Sequence, residues 1–174
     1  MEEFYICRVG NSLGHFDLTF KQPILNKEYG KIRWALNEQT ISKKKVKYIN
    51  EFISYDNTSW IILIPSAPNN FPFAICKLKE IKDRKLLMGP LINLDETNDE
   101  RGWTEATLCG NNDYNWDFKF SEIYLLNESS FDRKKVRGQN TFFQLKKGAT
   151  NESLLQTIEN ELKYIKRYIK PIIL

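Results

Sequence analysis

Hydrophobic and polar positions along the chain fall into a few segments of clear period, separated by longer stretches with none. The clearest is Trp60-Ile61-Ile62-Leu63-Ile64-Pro65, a continuous β-branched run stopped by proline. A run of that kind predicts a strand buried on both faces. Residues 66–72 are proline-rich and predict a tight loop. Residues 73–81 then alternate, with Ala74, Cys76, Leu78 and Glu80 on one face and Phe73, Ile75, Lys77 and Lys79 on the other. The two segments are expected to pair as a hairpin. Residues 116–126 alternate as well and predict a strand, as do residues 4–9, which Gly10-Asn11 closes in a turn. Residues 31–36 read as a short strand or ordered segment, and residues 141–145 as a short strand.

Two segments carry a helical period instead. Residues 43–53 place Val46, Ile49, Phe52 and Ile53 on one side, after a basic start. A second helix begins near Thr150-Asn151-Glu152, with an inner stripe of Leu154, Leu155, Ile158, Leu162 and Ile165, and Pro171 stops it. Its Lys163, Lys166, Arg167 and Lys170 read as the solvated side. Residues 11–30 show no steady period and read as a long loop; residues 82–115 are long and mixed. The order predicts an α+β fold, with a curved mixed sheet or small β-barrel and peripheral helices. No glycine-rich phosphate motif follows any strand, which disfavours a doubly wound nucleotide fold.

Composition narrows the function more than the fold. At 174 residues the chain is expected to form a single domain, 1–174, with a core large enough to need neither disulfides nor a structural metal. A net charge of +4 permits a nucleic-acid partner without requiring one. No apolar run approaches the ~20 residues of a membrane span, and the acidic start lacks a signal peptide's basic region. The expected location is therefore cytoplasmic or nuclear. Cys7, Cys76 and Cys109 are odd in number and widely spaced, which argues against a disulfide framework or zinc knuckle. The single histidine, His15, excludes multi-histidine metal sites and disfavours a serine or cysteine hydrolase; it reads as structural or as a ligand contact. The acid pairs Asp95-Glu96 and Asp99-Glu100 lie in one hydrophilic stretch without a partnering base. No catalytic residue, metal or cofactor is expected, and the chain reads as a non-enzyme.

Several segments together resemble the PUA-like superfamily, in particular its EVE and YTH domains. The resemblance rests on Phe4-Tyr5-Ile6-Cys7-Arg8-Val9 with its polar exit Gly10-Asn11-Ser12, on Arg33-Trp34-Ala35-Leu36, and on the hairpin formed by residues 60–65 and 73–81. Asp117-Phe118-Lys119-Phe120-Ser121-Glu122-Ile123-Tyr124 is similar to the family's late strand, and residues 138–145 with the terminal helix are similar to its closing segment. The match is architectural, and no single motif is diagnostic. It implies a nucleic-acid-binding reader that holds a modified, methylated base of DNA or RNA in an aromatic pocket. Two alternatives stay open: an ASCH-like RNA-processing enzyme or hydrolase, and a protein-interaction module using its aromatic surface.

The resemblance also nominates residues. Trp34 fits one wall of an aromatic cage, Trp103 a second and Trp116 a third or supporting one; stacking on such faces contributes ~1–3 kcal/mol per base. Ordinary packing is the alternative for each. Trp60, opening the most apolar strand, is assigned to the core. Asn11 and Ser12 stand at the presumed pocket rim, where an amide or hydroxyl can read a base edge, although a plain turn explains them too. Asn69 belongs to the loop that closes the hairpin at the same end, where it is placed to line the pocket, although a loop cap explains it equally well. Arg8 and Arg33 flank the pocket, and Arg133, Lys134, Lys135 and Arg137 form a basic run suited to phosphates. The Lys43-Lys44-Lys45-Lys47 and Lys82-Arg84-Lys85 clusters read more simply as solvated faces.

Overall fold

Residues 58–64 hold the centre of the sheet because six consecutive side chains there, Ser59 through Ile64, are buried. A computed structural model describes residues 1–9, 20, 22–32, 34–36, 38–65, 73–83, 116–126, 141–148 and 152–174. Among these residues the strands are β1 (Glu2–Val9), β2 (Trp34–Leu36), β3 (Thr58–Pro65), β4 (Phe73–Asp83), β5 (Trp116–Leu126), β6 (Phe142–Leu145) and β7 (Ile172–Ile173). The helices are α1 (Gln22–Leu25), α2 (Lys43–Ser54) and α3 (Glu152–Tyr168), with a 3-10 turn at Tyr29–Lys31. The strands form one sheet in the order β2-β5-β4-β3-β1-β6, and β7 pairs with β5. Every pairing whose register is defined is antiparallel except β1 with β3, which is parallel from Glu2↔Thr58 to Val9↔Pro65. The fold is therefore α+β with a mixed sheet.

The chain divides into two compact units, each assembled from separate stretches. The first comprises Met1–Asn11, Phe52–Leu78 and Phe120–Leu174. Its parallel and antiparallel registers put Phe4, Ile6, Trp60, Ile62, Ile75 and Leu145 on one face of the sheet. The stripe of α3, Leu154, Leu155, Ile158, Leu162 and Ile165, packs with that face and with Tyr124 and Leu126 in one core. The helix is amphipathic because its apolar residues recur every three or four positions, and this burial rather than propensity holds it. On the opposite face Tyr5 stacks on Phe142, ring centroids 5.3 Å apart and nearly parallel at 10°.

The second unit comprises Ser12–Glu51 and Lys79–Lys119. Ser42 caps α2: its hydroxyl accepts a hydrogen bond from the Lys45 backbone N–H at 3.2 Å. Two turns beyond the cap, Asn50 donates through Nδ2 to the Ile81 carbonyl at 2.8 Å and accepts the Ile81 N–H at 2.9 Å. That side-chain amide supplies β4 with the two bonds a neighbouring strand would have made, which ties the helix to the strand.

The structure departs from the sequence reading in three places. The stretch 11–30 is not wholly loop, since α1 and the start of the 3-10 turn lie in it; Pro23 and Ile24 are buried, so burial organises a segment whose pattern is too short to show a period. The strand expected over 31–36 is confined to Trp34–Leu36, the three residues that find partners on β5. The two-residue β7 after Pro171 lies where the sequence pattern predicts no strand. The stretch 84–115 lies outside the described residues.

Candidate functional site

The short ladder between β2 and β5 brings together two of the nominated tryptophans. Its register is Trp34↔Phe118, Ala35↔Asp117 and Leu36↔Trp116. Side chains opposite one another share a face, and so do residues two apart on one strand. Trp34, Leu36, Trp116 and Phe118 therefore line one face, and Ala35 and Asp117 the other. Trp34 and Trp116 stand on the diagonal of this patch, where α-carbons lie about 7–8 Å apart, within reach of large rings.

The two indoles are held differently. Trp116 is 3% exposed, and its Nε1–H donates to the Ile41 carbonyl at 2.9 Å, in a buried bond. Ile41 immediately precedes the cap residue of α2, so the start of that helix fixes the ring's orientation. A ring so held has its N–H already engaged and is oriented by the protein itself. Trp34 is 8% exposed, the most open of the three tryptophans in the described residues. On the reverse face the Asp117 carboxylate is almost fully buried and accepts the Lys119 ammonium at 3.1 Å. The pair places opposite charges two residues apart beneath the aromatic patch. Sequence reasoning missed it, although the alternation Trp-Asp-Phe-Lys already put Asp117 and Lys119 on a common face opposite Trp116 and Phe118.

Trp60 sits in the core as expected, 1% exposed. Its indole N–H donates to Glu2 Oε1 at 3.0 Å, the Lys166 ammonium lies 4.8 Å above its ring, and Tyr124 packs at 6.2 Å between centroids. Burial, with the neighbouring Glu122 carboxylate second, pushes the Tyr124 hydroxyl above its ordinary range. Cys7 and Cys76 are buried in strands without a disulfide, and burial raises the Cys76 thiol well above its usual value, with Cys7 adding to it. Such thiols are inert core groups.

Arg8 lies near the end of β1, half-buried and opposite Ile64, with its backbone N–H bonded to the Thr141 carbonyl at 2.7 Å. Asn11, Ser12, Arg33, Asn69, Trp103, Arg133, Lys134, Lys135 and Arg137 lie outside the described residues. Among the described residues no three histidine, cysteine or acidic side chains gather as metal ligands, and no helix is long and apolar enough to cross a membrane. Comparison with protein-family models, with curated proteins and with solved structures finds no match for this chain.

Proposed function

We propose that the chain is a nucleic-acid-binding reader, of PUA-like type, that holds a modified base against the aromatic face built on β2 and β5. The observation that carries this reading is the shared face of Trp34 and Trp116. A base taken out of its stack loses several favourable contacts, and aromatic faces restore them through dispersion and π-overlap. A methyl group on nitrogen adds apolar surface to such a contact without needing a charge. In this arrangement Trp34 is the contacting wall, and Trp116 is the backing ring, fixed through Ile41. Trp103 would supply the facing wall, and Asn11 and Ser12 would read the base edge. Arg8, Arg33 and the 133–137 run would hold phosphates without regard to sequence. No step of bond making or breaking is part of this role.

Tryptophan fluorescence during titration with modified and unmodified nucleosides and oligonucleotides tests the proposal. Trp34→Ala is expected to weaken binding of the modified strand by ~1–3 kcal/mol, roughly 5- to 150-fold, while Trp34→Phe keeps much of it. Because Trp34 is largely buried, the alanine variant also loses stability, so its folded fraction is measured beside its affinity. Equal affinity of a folded Trp34→Ala protein for modified and unmodified strands supports the reading only if the wild type separates them. A wild type that never discriminates sinks it. Matched DNA and RNA strands decide which polynucleotide is read.

A further inference from the structure

The last turns of α3 carry an exposed aromatic pair that the core does not use. Tyr164 and Tyr168 are 59% and 62% exposed and stand one turn apart, ring centroids 4.6 Å from each other and tilted by 44°. Large aromatic side chains clustered in water mark interaction surfaces far more often than singly exposed ones do. Cations surround the pair. Lys163 and Arg167 lie one turn apart beside it, Lys170 follows, and the Arg167 guanidinium sits 5.4 Å from the Tyr168 ring centre. Among the described residues none of these three cations forms an ion pair, whereas the nearby Lys166 is engaged by Glu2 at 3.4 Å. Along the helix the carboxylates Glu152, Glu159 and Glu161 all precede Lys163, the first of its cations. A favourable interaction with the helix dipole explains basic residues in the final turn. It does not explain Lys163, nor two tyrosines left in solvent.

We propose that this end of α3 is a docking surface for single-stranded polynucleotide, with bases stacking on Tyr164 and Tyr168 and phosphates on Lys163, Arg167 and Lys170. Alternating aromatic rings and unpaired cations are what a flexible chain of bases and phosphates complements. An anionic membrane fits less well: the apolar stripe of α3 is buried in the core, so the helix has no apolar face to insert. The surface shares with the proposed base site only its polynucleotide partner. It needs no modified base and reads no sequence.

The test is anisotropy of labelled short oligo(dT) and oligo(U), both unmodified, binding the full chain across ~50–200 mM salt. Two variants are compared with wild type: Tyr164→Ser with Tyr168→Ser, and Lys163→Gln with Arg167→Gln and Lys170→Gln. All five side chains are on the solvent side, and thermal melting verifies that each variant folds. The tyrosine variant is expected to bind about tenfold or more weakly. The cation variant is expected to lower the slope of log affinity against log salt by about two, the yield of three lost phosphate contacts on a single strand. Binding of one oligomer over the other identifies the DNA or RNA source. Both variants binding like wild type, or wild type binding neither oligomer while it sediments with phosphatidylserine vesicles, overturns the proposal. Trp34→Ala separates the two sites: loss of discrimination with unmodified-strand affinity intact concerns the base site alone.

Discussion

Trp60 and Trp116 are both almost completely buried, yet the ladders beneath them differ in length and in what closes them. Trp60 stands on an eight-residue parallel ladder with β1, under the stripe of a seventeen-residue helix. Its indole N–H reaches a carboxylate, Glu2, whose side chain is itself 45% exposed. Trp116 stands on a three-residue ladder, and its N–H ends on a backbone carbonyl at the start of α2. The first tryptophan packs under the stripe of a long helix; the second has its ring oriented by a hydrogen bond to the carbonyl just before α2. Long ladders with a helix across them make cores. The short ladder instead carries two indoles on one face, and it is to this face that the proposed reader role is assigned.

The largest effect should fall on the first region. Trp60→Ala is expected to cost ~3–5 kcal/mol of stability, through lost burial and the cavity left among Phe4, Ile62 and the α3 stripe. Urea denaturation measures it, and a loss below ~1 kcal/mol would mean that the helix does not close over this ring as described. Trp116→Phe keeps most of the ring and removes its donor, leaving the buried Ile41 carbonyl without that bond. A loss of ~1–3 kcal/mol is expected, together with weakened base discrimination if Trp116 backs Trp34. Unchanged stability would show that the loop contact does not hold the indole.

Smaller effects sharpen the contrast within the first region itself. Ser59 is fully buried on β3, and its hydroxyl has no hydrogen-bond partner among the described residues. Ser59→Ala should therefore stabilise by about 1 kcal/mol, since it removes a desolvated polar group at little cost in volume. A loss instead would reveal a bonded hydroxyl. Tyr124 gives the pH dependence. Its hydroxyl is held above the ordinary value of 10.0 in the folded state, so the unfolded chain releases that proton first as pH rises. Its contribution is fully present below about pH 10 and is lost above it, as the folded group titrates. Chemical denaturation at rising alkaline pH should show stability falling less steeply in Tyr124→Phe than in wild type, and equal slopes would contradict the shift.

The legibility of these regions differed for a physical reason. A strand or helix announces itself through the period of its own side chains, so β5 was legible over its full length, Trp116–Leu126, and α2 from Lys43. The continuous apolar run 60–65 correctly marked a doubly buried strand, and with it the core position of Trp60. Pairing partners leave no such mark. Nothing in residues 4–9 says that they lie parallel to residues 60–65, because both strands carry the same kind of apolar pattern whichever direction they run.

The candidate site shows the same division. The residue types of an aromatic patch could be read from the chain, but not that Trp34 and Trp116 share a face. That depends on β2 pairing with β5 so that Leu36 lies opposite Trp116, and a shift of one residue would have put them on opposite sides. The bond from Trp116 to the Ile41 carbonyl joins positions 75 residues apart, and the Asn50 clasp on Ile81 joins positions 31 apart. The sequence by itself determined which segments are strands and helices and which faces are apolar, since these follow from periods shorter than a turn or two. Only the tertiary structure decided register, strand direction and the fate of each polar group, because these depend on contacts between segments that no local pattern records.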